Sequence, residues 1–166
     1  IESMLLTHVH IDHVGRLPYL LAAGFKQPIY CSRPTAKLLP LVMEDALRIG
    51  FTRSRRLIEK FLKHIGKLLH PLPYHQWQSI EGSVRIRLRP AGPVLGSTIF
   101  EVELPGGEIV VFTGDLGSGS DPLLKQPSPP PRADLLVMES TYFISQRPIG
   151  SKLLKRSSVT HWKTKA

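Results

Sequence analysis

Residues 7–15 read Thr-His-Val-His-Ile-Asp-His-Val-Gly, placing three of the chain's 7 histidines and one aspartate within six consecutive positions. With 7 histidines in 166 residues, chance would space them about one per twenty-odd positions, so the clustering needs a cause. On an extended segment, residues two apart point the same way, which lets His8 and His10 share one ion. Asp12 and His13 follow the turn and can face a second ion beside it. Neutral imidazole and carboxylate suit Zn²⁺, with Mn²⁺ and Fe²⁺ as alternatives. Two such ions about 3.5–4 Å apart can share a hydroxide and steady both the entering and leaving oxygens of a phosphodiester. The competing reading is a histidine-rich surface loop.

Around this segment the chain reads as an α/β protein. Residues 3–9 form a short apolar run entering a loop, as a buried strand does. Since strands rarely begin a fold, further chain is expected before Ile1. Residues 15–25 read as a helix with Gly24 near its C-cap, and residues 27–32 as a strand. Residues 33–50 have helical spacing that Pro40 is expected to kink or break. Residues 53–73 repeat the pattern, with Leu57, Ile58, Phe61, Leu62, Ile65, Leu68 and Leu69 in one stripe. The period then changes. Val84, Ile86 and Leu88 alternate with Arg85, Arg87 and Arg89, a half-buried strand. Residues 97–117 read as two strands joined at Pro105-Gly106-Gly107. An apolar strand over 133–141 follows a loop whose proline density excludes regular structure. The expected order is strand, helix, strand, two helices, then four strands.

A hydrophobic fraction of 42% supports a buried core in a chain of single-domain size. The lone cysteine, Cys31, excludes an internal disulfide and suits a reducing cytoplasm. No run approaches the roughly 20 apolar residues that cross a bilayer, so a membrane is not an expected partner. The formal charge of +9 raises the question of nucleic acid. Much of it resides in residues 143–166, where Arg147, Lys152, Lys155, Arg156, Lys163 and Lys165 have no acidic neighbour. Residues 1–142 are therefore expected to form the domain. Residues 143–166 are expected to be a basic tail, disordered or a non-native (out-of-frame) continuation. A second basic stretch, Arg48 to Lys67, reads by itself as a solvated helix face.

The segment Thr-His-Val-His-Ile-Asp-His-Val-Gly-Arg-Leu-Pro-Tyr-Leu resembles the H-x-H-x-D-H loop of the metallo-β-lactamase superfamily. In detail it resembles the β-CASP branch, which holds RNA- and DNA-processing nucleases, polyadenylation endonucleases and RNase J among them. Three further matches follow in order. Residues 91–98 resemble the A-G-H-x-x-G-S element, residues 110–117 the strand ending in a metal-bridging aspartate, and residues 135–142 the acidic motif that opens the β-CASP insertion. The resemblance covers residues 3–142. It implies part of an αββα sandwich, without the N-terminal strands, the β-CASP insertion and the C-terminal portion. It further implies a dinuclear zinc centre in which His8 and His10 hold one ion, Asp12 and His13 the other, and Asp115 bridges them. Asp12 and Glu139 take catalytic parts, Glu139 by orienting a general-acid histidine within the insertion. The implied activity is hydrolysis of RNA, with single-stranded DNA as the alternative substrate. Homo-oligomers or membership of a processing complex are the implied assemblies.

One position departs from the pattern. Where the A-G-H-x-x-G-S element carries a histidine ligand, this chain has Pro93, which has no side-chain donor. Three protein ligands and a water can still make a catalytic zinc site, but weaker affinity is expected, with His70 or His75 the only nearby substitutes. Two rival readings follow: a catalytically dead homologue acting as an RNA-binding scaffold, and a thioester or lactone hydrolase of the same superfamily.

Overall fold

Helical connections explain how the first half of the chain builds its sheet. Strands β1 (Met4–Leu5), β2 (Ile29–Ser32) and β3 (Leu69–Leu72) pair in that order and are all parallel. Parallel strands cannot be joined by tight turns, and here each link is a pair of helices. α1 (Ile11–Val14) and α2 (Leu17–Ala22) lie between β1 and β2, and α3 (Arg33–Gly50) and α4 (Arg55–Leu68) between β2 and β3. This computed structural model describes residues 1–117 and 124–139.

α3 starts where Ser32 Oγ accepts a hydrogen bond from the Thr35 amide, with Pro34 in the first turn. The break expected at Pro40 does not occur, and a single helix runs to Gly50. Proline forfeits one backbone bond, but Leu39, Met43 and Leu47 form a buried stripe on both sides of it that keeps the helix in one piece. Leu39 and Met43, with Ile65 of α4, Val14 of α1 and Leu17 of α2, pack on Leu6, Ile29 and Cys31. Burial pushes the Cys31 thiol up to about 12, which makes it an inert core residue.

The stripe expected to continue through Leu69 ends one residue sooner. The chain passes from α4 straight into β3, and Pro71 is tolerated there because β3 is an edge strand.

The second sheet contains β4 (Gln78–Ser79), β5 (Arg85–Pro90), β6 (Thr98–Glu103), β7 (Ile109–Phe112) and β8 (Leu135–Val137) in sequential order. All its pairings are antiparallel except β7 with β8. The alternation in β5 sorts its faces as expected. Ile86 and Leu88 join Phe100 and meet Leu5, Tyr30 and Leu72 of the first sheet, so the two sheets stack face to face.

On the reverse face, Glu101 is wholly buried and takes both Arg87 Nε (2.6 Å) and Nη2 (2.7 Å), with Arg89 Nε also at 2.6 Å. Arg85 pairs with Glu103, and Trp77 lies under the Arg87 guanidinium at 4.4 Å. Further along this face, Ile99 and Val111 line a cavity of about 330 Å³ together with Pro127, Leu136 and Met138.

The layers are therefore helices, parallel sheet and mixed sheet, three of the four in an αββα sandwich. Among the described residues no helix covers the reverse face of the second sheet; the proline-rich segment from Pro127 to Ala133 lies there. β8 is apolar as expected yet exposed, with Leu135 at 57% and Val137 at 46% of full accessibility. The basic tail, 143–166, lies outside the described residues.

Candidate metal centre

β1 delivers the histidine segment to the ends of both sheets. The Leu6 amide continues the ladder onto the Tyr30 carbonyl, after which the strand gives way to Thr7 and His8. His8 is fully buried, and its Nδ1 lies 3.1 Å from Thr7 Oγ1, which sets the ring orientation. His10 is the N-cap of α1 in an extended conformation, and its carbonyl accepts from the His13 and Val14 amides. That single turn brings His13 back beside His8, with ring centroids 4.2 Å apart.

Asp115 comes from far away in sequence, just beyond β7. Gly114, at φ +56°, makes the turn, and a Cβ there would lie 2.8 Å from Thr7 Cβ. The two segments thus meet closely enough for the Asp115 carboxylate to divide its oxygens. Oδ2 is 3.3 Å from His8 Nε2 and 3.4 Å from His10 Nδ1, while Oδ1 is 3.2 Å from His13 Nε2. Donor atoms of His8, His10 and Asp115 all lie within 4.8 Å of one another, close enough to hold one cation.

His8 Nε2 is buried and has no hydrogen-bond partner. A buried polar atom without a partner is costly, and a cation beside it would remove that cost. Burial, and next the nearby His13, push the His8 pKa below its ordinary value, with Asp115 opposing. That direction favours the neutral ring, the form that offers a lone pair to a metal. The residues present fit a divalent cation.

The other expected site residues are placed as follows. The Asp12 side chain points outward, 75% exposed, with its Oδ2 3.7 Å from His13 Nε2. Glu139 Oε1 accepts from the Leu116 amide at 2.6 Å, and the Glu139 amide donates to Thr113 Oγ1 at 3.4 Å. Glu139 therefore grips the loop that carries Asp115. Pro93 lies against the same loop, since the Gly117 amide donates to the Ala91 carbonyl and a Cβ on Gly117 would be 2.9 Å from Pro93 N. His70 sits on β3 with its ring facing Tyr30, and the His75 amide binds the Leu88 carbonyl; neither joins the group of His8, His10 and Asp115.

One supporting group had no obvious signal in the sequence. Hydroxyls of Ser32 (2.7 Å), Thr35 (3.0 Å) and Thr98 (2.9 Å) all approach the Gly96 carbonyl oxygen, tying the loop that carries Pro93 to the start of α3. Scattered serines and threonines carry no periodicity, and only a Gly-Ser-Thr run hinted at them. Gly96 has φ +93°, and a Cβ there would fall 2.7 Å from Thr35 Oγ1. Gly96→Ala is expected to destabilise the chain by about 2 kcal/mol, read as a lower denaturation midpoint in urea.

Imidazoles on a turn after one sheet, a carboxylate divided between them from the other, and helices outside make a candidate metal centre on a two-sheet sandwich. The family model of the Metallo-beta-lactamase superfamily matches residues 1–158, and the chain belongs to that superfamily. It is similar to Ribonuclease TTHA0252 of Thermus thermophilus, with 39% identity over 144 residues that make up 86% of this chain and 32% of the relative. The transcription termination factor FttA of Methanothermobacter thermautotrophicus is 34% identical over 147 residues, 86% of this chain and 23% of the factor. The endoribonuclease YSH1 of Gibberella zeae is 33% identical over 153 residues, 87% of this chain and 18% of that enzyme. The chain thus spans a third or less of the length of these relatives.

Proposed function

We propose that this chain carries the metal-ligating part of a β-CASP-type ribonuclease, which hydrolyses phosphodiester bonds of RNA with two zinc ions. The observation that carries the reading is the divided Asp115 carboxylate, one oxygen toward His8 and His10 and the other toward His13. In this assignment His8 and His10 would hold the first ion and Asp12 and His13 the second, with Asp115 serving both. Asp12 would have to turn its exposed carboxylate inward beside His13 to take that part. Bound zinc supplies Lewis acidity and a water that ionises near neutral pH. Thr7 holds the His8 ring in register, and Glu139 fixes the Asp115 loop through the Leu116 amide. In the whole protein Glu139 also orients the general-acid histidine.

Two of the relatives are named as ribonucleases, which supports RNA as the substrate. A protein from Danio rerio, 31% identical over 147 residues (86% of this chain and 24% of that protein), is named as Integrator complex subunit 11, which supports membership of a processing complex. No helix among the described residues is long and apolar enough to cross a membrane. The buried free thiol supports the cytoplasm as the compartment.

Pro93 favours a second reading, an RNA-binding scaffold without catalysis, because it sits at the Asp115 loop and offers no ligand. Zinc content and cleavage of single-stranded RNA decide between them. The enzyme reading expects about two zinc ions per chain, tighter zinc binding in Pro93→His and, in the whole protein that supplies the general acid, cleavage that Asp12→Ala abolishes. Absence of bound zinc from protein equilibrated with the metal would refute it.

A further inference from the structure

Some cations of the described residues are paired with carboxylates, and others, Arg16, Lys26, Arg33, Lys37, Arg53 and Lys125 among them, are not. Arg48, Arg85, Arg87, Arg89 and Arg132 are each paired with a carboxylate. Those of α4 are mostly not. Its one acid, Glu59, pairs with Arg55, and Arg56, Lys60, Lys63 and Lys67 have no acidic partner among the described residues. Their spacing of four, three and four positions puts them on a single ridge about 16 Å long. Burial of Ile58 and Ile65 on the opposite side holds that ridge toward solvent.

The ridge does not begin at α4. Exposed Arg53 precedes the helix, and exposed Phe51 precedes Arg53. The Phe51 ring lies 5.2 Å from that of Tyr19, which is 55% exposed, and the Arg16 guanidinium covers Tyr19 at 5.3 Å. Arg16 is three residues beyond His13 of the metal centre. By contact and by adjacency in sequence these residues run from the centre in order: Arg16, the Tyr19–Phe51 pair, Arg53, then the ridge.

We propose that this line is a track for single-stranded RNA leading away from the metal centre. Exposed aromatic rings stack on unpaired bases, which a duplex does not offer, and a row of unneutralised cations follows a phosphate backbone. The choice of RNA over other polyanions rests on the ribonuclease reading above. An anionic membrane would use the ridge but would give the rings no bases.

The test is fluorescence anisotropy of a labelled oligouridine with the full chain in chelator, so that neither zinc nor cleavage enters. Lys60→Glu with Lys63→Glu is expected to weaken binding at least about tenfold and to flatten the salt dependence by roughly 0.7 in log–log slope for each phosphate no longer neutralised. Tyr19→Ala with Phe51→Ala is expected to weaken binding about tenfold while leaving that slope unchanged. Lys155→Gln with Arg156→Gln, in the basic tail, is expected to change binding less than about twofold. Photocrosslinking of thiouridine-labelled RNA to the unaltered chain provides a readout free of folding effects, with adducts expected between Arg16 and Lys67. Loss in the tail variant alone, adducts confined to residues 143–166, no RNA binding, or tighter binding to phosphatidylserine vesicles than to RNA would each overturn the proposal. A chain that binds RNA along the track but takes up no zinc when equilibrated with the metal overturns the catalytic reading and leaves this one standing.

Discussion

Replacing Asp115 by asparagine is expected to lower zinc affinity by more than about 100-fold, measured by competition with a chromophoric chelator. Substitution of groups that only support a metal ligand costs 10–100-fold, and Asp115 touches every imidazole of the centre: His8 and His10 through Oδ2, His13 through Oδ1. Asparagine keeps the shape of the side chain but removes its charge. It also turns one of the two contacts into an N–H, which cannot ligate a cation. Because Asp115 lies on a loop held by Glu139 and by the Gly117–Ala91 backbone bond, the asparagine variant is expected to fold as before. A folded variant with zinc affinity within about tenfold of the parent would show that the carboxylate does not join the two sites.

Glu101→Gln is expected to destabilise the chain by about 3 kcal/mol, which for a protein of this size lowers the melting temperature by about 10 °C. The Glu101 carboxylate is completely buried and receives two hydrogen bonds from Arg87 and one from Arg89. Those arginine side chains are only 17% and 14% exposed, so water is a poor replacement for the lost anion. The amide of glutamine retains one oxygen and places an N–H against a guanidinium that can only donate. Removing all three charges together has a different result. Arg87→Met, Arg89→Met and Glu101→Leu combined are expected to melt near the parent temperature, because desolvation of the trio offsets much of its attraction. A triple variant as unstable as the single one would mean that this network contributes more than its charges, the stacking of Arg87 on Trp77 being the first suspect.

Short-range chemistry made the centre readable before its geometry was known. Alternate positions on an extended segment bring His8 and His10 together, whereas Asp115 was expected beside them only through the family resemblance, its own surroundings reading as a turn after a strand. The half-buried strand over Arg85–Pro90 was equally legible, because its period of two survives folding. Features set by distant neighbours were not. Nothing near Pro40 announces that a buried stripe will carry α3 through it. Nothing in Leu-His-Pro-Leu distinguishes an edge strand from the tail of a helix until β2 lies beside it. The outward direction of Asp12 depends on a single turn of α1, which spacing alone does not fix. The ridge on α4 was visible as composition, and only the burial of Ile58 and Ile65 showed that Arg56, Lys60, Lys63 and Lys67 share one exposed face.

The Gly96 carbonyl has a last consequence. An oxygen has two lone pairs, yet three hydroxyls surround this one, and Ser32 Oγ is also 3.0 Å from Thr35 Oγ1. The three donors cannot all be served equally, so the proton arrangement is degenerate: Ser32 can donate to the carbonyl or to Thr35 without any heavy atom moving. Loss of any one hydroxyl leaves enough donors to saturate the oxygen. The anchor on the Gly96 oxygen is therefore redundant at Thr35 and Thr98, either of which can lose its hydroxyl alone, whereas Ser32 is also held by its second role as the cap of α3 and Gly96 by its backbone.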